Sequence, residues 1–386
     1  MLTLSKLIYI SPSIFPSKAA NSTHVILQVD ALAKLYDQIL VIGMAARGVK
    51  SIPGIKNQLV DAYGVSLENV DFALCRNILG FAENLMIALF SVRFILLTRE
   101  ANVITRNIYA AILCLVFMRQ KFIYETHTVE TGFRAILQRF LLRSQGVEVI
   151  VISKSLKGML IKKYDLNKHK ITVLHDAARQ SLPSKIHNIK LFPDAEKFAN
   201  ILGYFGSLHS GRGIDIIEAM AGQLPNSLFM VFGPPGQNPE FEERARYLDS
   251  NIKFCGFISH SEIHENMMRC NILLMPYQKK VSIGPSSSDT SKWMSPMKMF
   301  EYMAAGRPII SSDLPVLHEV LTDKVNALFV TPDNVQGWVE ASELLRADST
   351  LSDNLASNAR SDYESKYNWG ARASRIKMLY GRSINY

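Results

Sequence analysis

Between residues 201 and 345, short apolar runs alternate with helix-patterned segments, and that alternation leaves few folds open. Strand-like runs occupy 201–205, 228–232, 252–255, 272–275, 308–311 and 327–330, while helical spacing marks 214–222, 261–268, 296–305 and 335–345. Strands that alternate with helices pair in parallel, because each crossover helix returns the chain to the same end of the sheet. The first half repeats the rhythm more faintly, with strands expected at 6–10, 39–42, 103–105, 122–124 and 148–152. The irregular stretch 181–197, which holds Pro183 and Pro193, interrupts the pattern. A chain of 386 residues exceeds one ordinary core, so two α/β domains are expected, 1–195 and 196–365. Each would be a doubly wound, Rossmann-like parallel sheet. Such sheets take ligands at the carboxyl ends of their strands, so the two domains are expected to face each other across a cleft.

Composition excludes several classes. The four cysteines (Cys75, Cys114, Cys255 and Cys270) are scattered and form no C-x-x-C pair, which argues for buried thiols in a reducing compartment and against a structural metal. The apolar stretches 87–97 and 110–118 fall short of a membrane span. Residues 1–16 lack a signal peptide's long apolar region and cleavage site, and read as a first strand. The net charge of +9 is uneven: residues 1–195 hold 24 Lys and Arg against 13 Asp and Glu, whereas 196–386 hold 19 against 21. The basic first half suits an anionic lipid surface or a phosphorylated acceptor, or is simply a basic soluble surface. With no nucleic-acid motif beside it, nucleic acid is the weakest candidate.

Two segments carry chemistry. Residues 295–306 read Ser-Pro-Met-Lys-Met-Phe-Glu-Tyr-Met-Ala-Ala-Gly. Ser295 suits an N-cap, Pro296 the first helical position and Gly306 a left-handed stop, with Pro308 barring continuation. Lys298 and Glu301 are three apart and share a helix face, beside free N–H groups that attract phosphate. The loop Tyr-Phe-Gly-Ser-Leu-His-Ser-Gly-Arg-Gly at 204–213 joins a strand to a helix, with Gly206 allowing a tight turn and Arg212 placed to grip a phosphate. No Walker-type P-loop is present in the sequence.

In this order, the 204–213 loop, the segment Phe-Cys-Gly-Phe-Ile at 254–258 and the 295–306 block resemble the retaining glycosyltransferases of family 4, which have the GT-B fold. The resemblance is strong over about 200–330 and looser before it. There, Tyr-Glu-Thr-His at 124–127 is similar to the family's Glu-x-His, and 150–153 to a strand ending in serine. Val-Leu-His-Asp at 173–176 stands where relatives often carry Asn-Gly. Trp369 and the segment after it resemble the helix, here 366–386, that crosses back to the first domain in this fold.

The resemblance implies roles for matching residues. Glu301 would accept hydrogen bonds from the donor's ribose hydroxyls. Arg212 and Lys298 would neutralise the diphosphate and stabilise the leaving nucleotide, an electrostatic form of catalysis. Phe257 and Ile258 would flank the base, and His127 would project toward the donor sugar. Each of these also has an ordinary structural alternative: a surface carboxylate, a loop cation, core packing or a polar strand end. The sequence departs from the family at two places: Trp293 stands where a second glutamate is usual, and Ser207 where an arginine is usual. Sugar recognition is therefore expected from Asp289 or from backbone N–H groups of 286–296, unless that polar stretch is merely a flexible surface loop.

The expected reaction moves a hexose-type unit from a nucleotide sugar, a co-substrate, to a glycan or lipid-linked acceptor with retention of configuration. An oxocarbenium-like centre would be held between donor phosphate and acceptor, and the enzyme would supply positioning and exclusion of water. No other cofactor is expected. No metal is expected either, since the sequence shows neither Asp-x-Asp nor a His/Asp/Glu cluster at metal spacing. The resemblance points to cell-surface polysaccharide assembly in the cytoplasm, peripheral to the inner face of the plasma membrane. On the acceptor side, apolar residues at 133, 136, 137, 140 and 141 lie at helical spacing among Arg134, Arg139 and Arg143. That stripe either packs on its own sheet or lies on an anionic membrane. Two rival functions share the architecture: a nucleotide-sugar epimerase and a non-catalytic nucleotide- or carbohydrate-binding protein.

Overall fold

The computed structural model describes residues 5–17, 19–49, 52–76, 82–98, 100–118, 120–166, 171–179, 195–246, 251–281 and 289–381. The chain divides into two compact units, 1–176 with 369–386, and 177–368. Most of the irregular stretch in which a domain junction was expected, 180–194, lies outside the described residues.

The first unit begins with β1 (Lys6–Phe15), α1 (Ala20–Ala33), β2 (Gln38–Ala45), α2 (Ile52–Tyr63) and β3 (Val70–Cys75). It continues through α3 (Glu83–Leu97), β4 (Asn102–Thr105), α4 (Ile108–Phe117), β5 (Phe122–Thr126), α5 (Gly132–Arg143), β6 (Val147–Val151), α6 (Lys154–Tyr164) and β7 (Ile171–Val173). Its seven strands are all parallel, in the order β3-β2-β1-β4-β5-β6-β7. The order reverses direction between β1 and β4, and there the crossovers diverge and open a crevice at the strand ends.

The second unit runs β8 (Asn200–Phe205), α7 (Ile214–Gln223), β9 (Ser227–Phe232), α8 (Pro239–Arg244), β10 (Ile252–Gly256), α9 (His260–Met268) and β11 (Ile272–Met275). After these come α10 (Met297–Ala305), β12 (Ile309–Ser312), β13 (Leu328–Val330), α11 (Val335–Ala347) and α12 (Ser349–Lys366). Six parallel strands lie in the order β10-β9-β8-β11-β12-β13, with the reversal between β8 and β11. All residues of β8, β9, β11 and β12 are buried, as continuous apolar runs covered on both faces require. The last helix, α13 (Trp369–Gly381), belongs to the first unit and packs on α1.

The expected strands and helices of the second unit all form, with ends moved by two residues or fewer. The α10 start differs from expectation. Its N-cap is Pro296, with extended backbone (φ −74°, ψ 121°), and no side chain caps it. Ser295 sits one residue farther out and is buried. Gly306 does end the helix in the left-handed region (φ 62°).

Tyr302 locks α10 onto the sheet where β8 and β11 part. The β8–β11 pairing stops at Leu273 opposite Gly203. Beyond it, the Tyr302 hydroxyl accepts from Phe205 N (2.9 Å) and donates to Leu274 O (3.1 Å). One buried hydroxyl thus satisfies two backbone groups that the diverging ladder leaves behind. Phe300 is fully buried in the same core, and each such side chain contributes roughly 2 kcal/mol through burial.

Candidate functional site

In the second unit the site is built where β8 and β11 end. The chain turns at Gly206 (φ 154°), and a Cβ there would stand 2.8 Å from the Lys298 Nζ. Only a residue without a side chain lets that ammonium approach the backbone. Farther along the loop, a Cβ at Gly211 would lie 2.0 Å from the Lys280 carbonyl oxygen, and one at Gly213 1.9 Å from that of Pro276. The loop therefore rests directly on the segment after β11, and Gln278 N donates to Gly211 O (2.9 Å). Arg212, between the two glycines, is held against Tyr277, with Nη1 donating to the phenol oxygen at 3.2 Å.

Lys298 is buried one residue into α10, with Nζ 4.0 Å from the centroid of the Tyr204 ring and 4.8 Å from that of Tyr277. That nitrogen has no hydrogen-bond partner among the described residues. Burial, and then the Arg212 guanidinium, push its pKa well below the usual lysine range, while Glu301 pulls the other way. Two basic side chains, Lys298 and Arg212, thus stand at a helix start with the partly exposed Glu301 carboxylate nearby. An anion with several oxygens supplies what this arrangement lacks.

Gly206, Arg212 and Lys298 are thus brought together, with Glu301 one turn along α10. Phe257 and Ile258 follow β10, two strands from β8; Phe257 is 42% exposed, and Ile258 packs partly against the core. Asp289 lies in the approach to α10, where its Oδ1 accepts from Val281 N (3.0 Å) and Ser291 N (2.9 Å). It braces the loop, of which 286–288 lie outside the described residues. Trp293, in the position of the missing glutamate, is partly buried.

Tyr204 and Tyr277, whose rings border Lys298 and Arg212, were not singled out from the sequence. Both are buried, and burial raises both phenols' pKa, so at neutral pH they offer rings and neutral hydroxyls. The available signal was a tyrosine at or just beyond the end of an apolar strand, twice, on strands that the topology makes neighbours.

In the first unit, His127 belongs to a buried polar cluster at the β1–β4 reversal. Arg106, just past β4, reaches His24 Nδ1 at 3.0 Å through Nη1 and His127 Nδ1 at 3.1 Å through Nη2. A guanidinium only donates, so both imidazoles accept at Nδ1 and carry their proton on Nε2. His127 Nε2 donates to Glu125 Oε1 at 2.8 Å, and His24 Nε2 lies 3.0 Å from Asp176 Oδ1. Arg372 of α13 closes the cluster, donating to Glu125 Oε1 and to the His175 carbonyl oxygen, both at 3.1 Å. Burial lowers the His24 pKa to about 4, with Asp176 opposing and Arg106 assisting; burial and Arg106 also lower that of His127. Burial would raise Glu125, but Arg372, the His127 bond and His24 outweigh it and hold it well below the usual range. Both ring nitrogens of His127 are engaged, so neither is free to take a proton.

His24, Glu125 and His127 offer ligand atoms all within 4.8 Å of one another, a metal-like grouping that spacing along the chain did not show, because His24 comes from α1. Two guanidinium groups already occupy its surroundings, and their fixed charge opposes a divalent cation. The signal was local: His24 and Gln28 are polar residues four apart on the buried face of α1, where Gln28 Nε2 donates to Tyr9 and Glu125, each at 3.0 Å.

Two doubly wound parallel-sheet units with these strand orders define the GT-B class of glycosyltransferase fold. Residues 199–348 match the family model described as Glycosyl transferases group 1. Among solved structures, Anabaena Alr3699/HepE in complex with UDP superposes with a TM-score of 0.72 over 98% of this chain and 100% of its own, at 16% identity. Among curated relatives, the uncharacterized glycosyltransferase MJ1607 of Methanocaldococcus jannaschii is 21% identical over 286 residues, 68% of this chain and 69% of the relative. The O-antigen chain mannosyltransferase RfbU of Salmonella typhimurium is 26% identical over 210 residues, 54% of this chain and 53% of the relative. The match to a third relative, from Bacillus subtilis, spans only 27% of that protein.

Proposed function

We propose that this protein is a glycosyltransferase that moves a hexose-type unit from a nucleotide sugar to a glycan or lipid-linked acceptor in cell-surface polysaccharide synthesis. The observation that carries the reading is the buried Lys298 ammonium, lacking a hydrogen-bond partner among the described residues, beside Arg212 at the Gly206 turn. A diphosphate bridges such a pair of cations. As the glycosidic bond breaks, charge builds on the departing phosphate, and the Arg212 and Lys298 side chains, the latter charged against the bound anion, would stabilise it. Glu301, one turn along α10, would take the ribose hydroxyls, with Phe257 and Ile258 beside the base. Asp289 and the backbone N–H groups around Ser295 would shape the sugar subsite in place of the glutamate replaced by Trp293.

The UDP bound to HepE, and the glycosyltransferase names carried by the curated relatives, support this reading. So does the O-antigen chain named for RfbU. In this reading the reaction retains configuration, needs no metal, and takes place in the cytoplasm at the inner face of the plasma membrane. The test is incubation with UDP-, GDP- and ADP-sugars, with and without lipid-linked acceptors, followed by product analysis. Nucleotide release that depends on acceptor, survives EDTA and gives a product of unchanged anomeric configuration supports the proposal. A new nucleotide sugar formed without acceptor would instead identify an epimerase, and binding without turnover a non-catalytic protein.

A further inference from the structure

The apolar stripe on α5 packs inward only in part: Leu141 is buried and Leu137 half-buried. Phe133, Ile136 and Phe140 are 67%, 64% and 58% exposed, at i, i+3 and i+7 on one helical face. Two neighbouring helices extend it, since α3 packs on α4 and α4 on α5. On α3, Leu89 and Leu97 are 60% and 82% exposed, and near the end of α4, Val116 is 69% exposed. One surface hollow is lined jointly by Leu85 of α3, Tyr109 of α4, and Phe133 and Arg134 of α5, so residues of all three helices border one another there. Isolated exposed apolar residues need no explanation, but a run across three adjacent helices does.

Charge decides what covers this face. The three helices carry four arginines and one acidic residue, Glu83. Arg134 pairs with Glu130 just before α5 (2.7 Å) and Arg143 donates to the Tyr164 carbonyl oxygen (2.9 Å), so Arg93 and Arg139 are the exposed cations that remain. Arg93, exposed on α3, stacks over the Phe90 and Phe94 rings at 4.3 and 4.5 Å, so its cation is held at the apolar surface. A second copy of the chain docked through the same face would set one arginine-bearing face against another. An anionic bilayer meets both features, because acyl chains accept the phenylalanine and leucine side chains while lipid phosphates accept the guanidinium groups.

We infer that the exposed face of α3, α4 and α5 is a bilayer-docking surface that seats the first unit on anionic phospholipid. The inference deepens the peripheral placement in the glycosyltransferase reading, and its test uses no sugar transfer, so either can fail alone. The full chain is co-sedimented with phosphatidylglycerol/phosphatidylethanolamine vesicles and with phosphatidylcholine vesicles, at low and high salt. Its oligomeric state is measured in parallel. Wild type is expected to bind the anionic vesicles at low salt, to release substantially at high salt, and to bind phosphatidylcholine weakly.

The triple variant Phe133→Ser/Ile136→Ser/Phe140→Ser should bind the anionic vesicles at least about tenfold more weakly, since three membrane-facing side chains are lost. Its thermal midpoint should stay within a few degrees of wild type, because those positions are exposed. A second variant, Leu89→Ser/Val116→Ser, should weaken binding independently through α3 and α4. The inference is overturned if wild type ignores anionic vesicles, or if both variants bind as wild type does. It is also overturned if wild type is a concentration-dependent oligomer that the triple variant dissolves, which would mean that a second copy covers the face.

Discussion

The Lys298 ammonium stands 4.0 Å from the centroid of the Tyr204 ring, buried in the second unit and without a hydrogen bond among the described residues. A cation over a ring recovers about 1–2 kcal/mol, whereas taking an ammonium out of water costs several. The ligand-free molecule therefore holds this residue at a net loss. A bound anion would offset that loss.

Replacing it with methionine separates these two effects. Lys298→Met fills the same space with an apolar side chain that suits the two tyrosine rings. The ligand-free thermal midpoint should rise by roughly 2–4 °C, corresponding to about 1 kcal/mol in a unit of this size. Calorimetry without nucleotide checks it. A fall of several degrees would mean that the ammonium stabilises the empty molecule.

Tyr302→Phe tests the way α10 is fixed to the sheet. The hydroxyl serves Phe205 N and Leu274 O, both of which lose their partner in the variant. A loss of about 1–3 kcal/mol is expected in urea melts, the cost of leaving buried backbone groups unsatisfied. Donor affinity should fall with it, since the same hydroxyl holds the ends of β8 and β11 against the helix carrying Lys298. Unchanged stability would show that water replaces the hydroxyl.

Gly206→Ala should act mainly on binding. The added methyl would meet Lys298 Nζ at 2.8 Å and Cε at 3.0 Å, in a backbone conformation that L side chains rarely adopt. The lysine end is flexible and can swing away, so the expected result is a modest loss of stability with at least about tenfold weaker nucleotide binding, or about 1.4 kcal/mol. Isothermal titration distinguishes this from a purely structural effect, which would lower the melting midpoint and leave affinity intact.

The cluster around Glu125 sets a pH dependence for the first unit. The His24 pKa is lowered to about 4, below its ordinary value of 6.5. As pH falls from about 6.5 toward 4, the unfolded chain takes a proton that the folded one refuses, so stability drops over that window, by up to about 3 kcal/mol. His127 is lowered too and adds to the same trend. Glu125 and Asp176 have depressed values, so their contribution is present above the unfolded carboxylate range and is lost as pH falls through the folded values. Melting midpoints between pH 7.5 and 4 should fall steadily, and His24→Gln should flatten the upper part of that curve. A flat wild-type profile would mean that these histidines are solvated.

The second unit was legible in the sequence because its strands are buried on both faces and its helices carry their own stop signals, such as Gly306. In the first unit β3 escaped notice because Asp71 breaks its apolar run, and β7 because three residues are too few to show a period. At the site, Arg212, Lys298 and Glu301 stood out through their spacing beside glycines and a helix start. Tyr204 and Tyr277 did not, because a tyrosine in a strand reads as core until topology places two strand ends together. His24 was hidden for the same reason: nothing in α1 points to residues 125 and 176, and only the fold makes them neighbours.

The central claim is that Lys298 and Arg212 hold a nucleotide diphosphate, and the most direct measurement is the thermal midpoint of the full chain with UDP, GDP and ADP, in wild type and Lys298→Met. At a nucleotide concentration about 100 times its dissociation constant, binding stabilises the folded state by about 2.7 kcal/mol. At least one nucleotide should therefore raise the wild-type midpoint by several degrees and leave that of Lys298→Met unmoved. Equal shifts in both proteins, or no shift with any of the three, would contradict the claim.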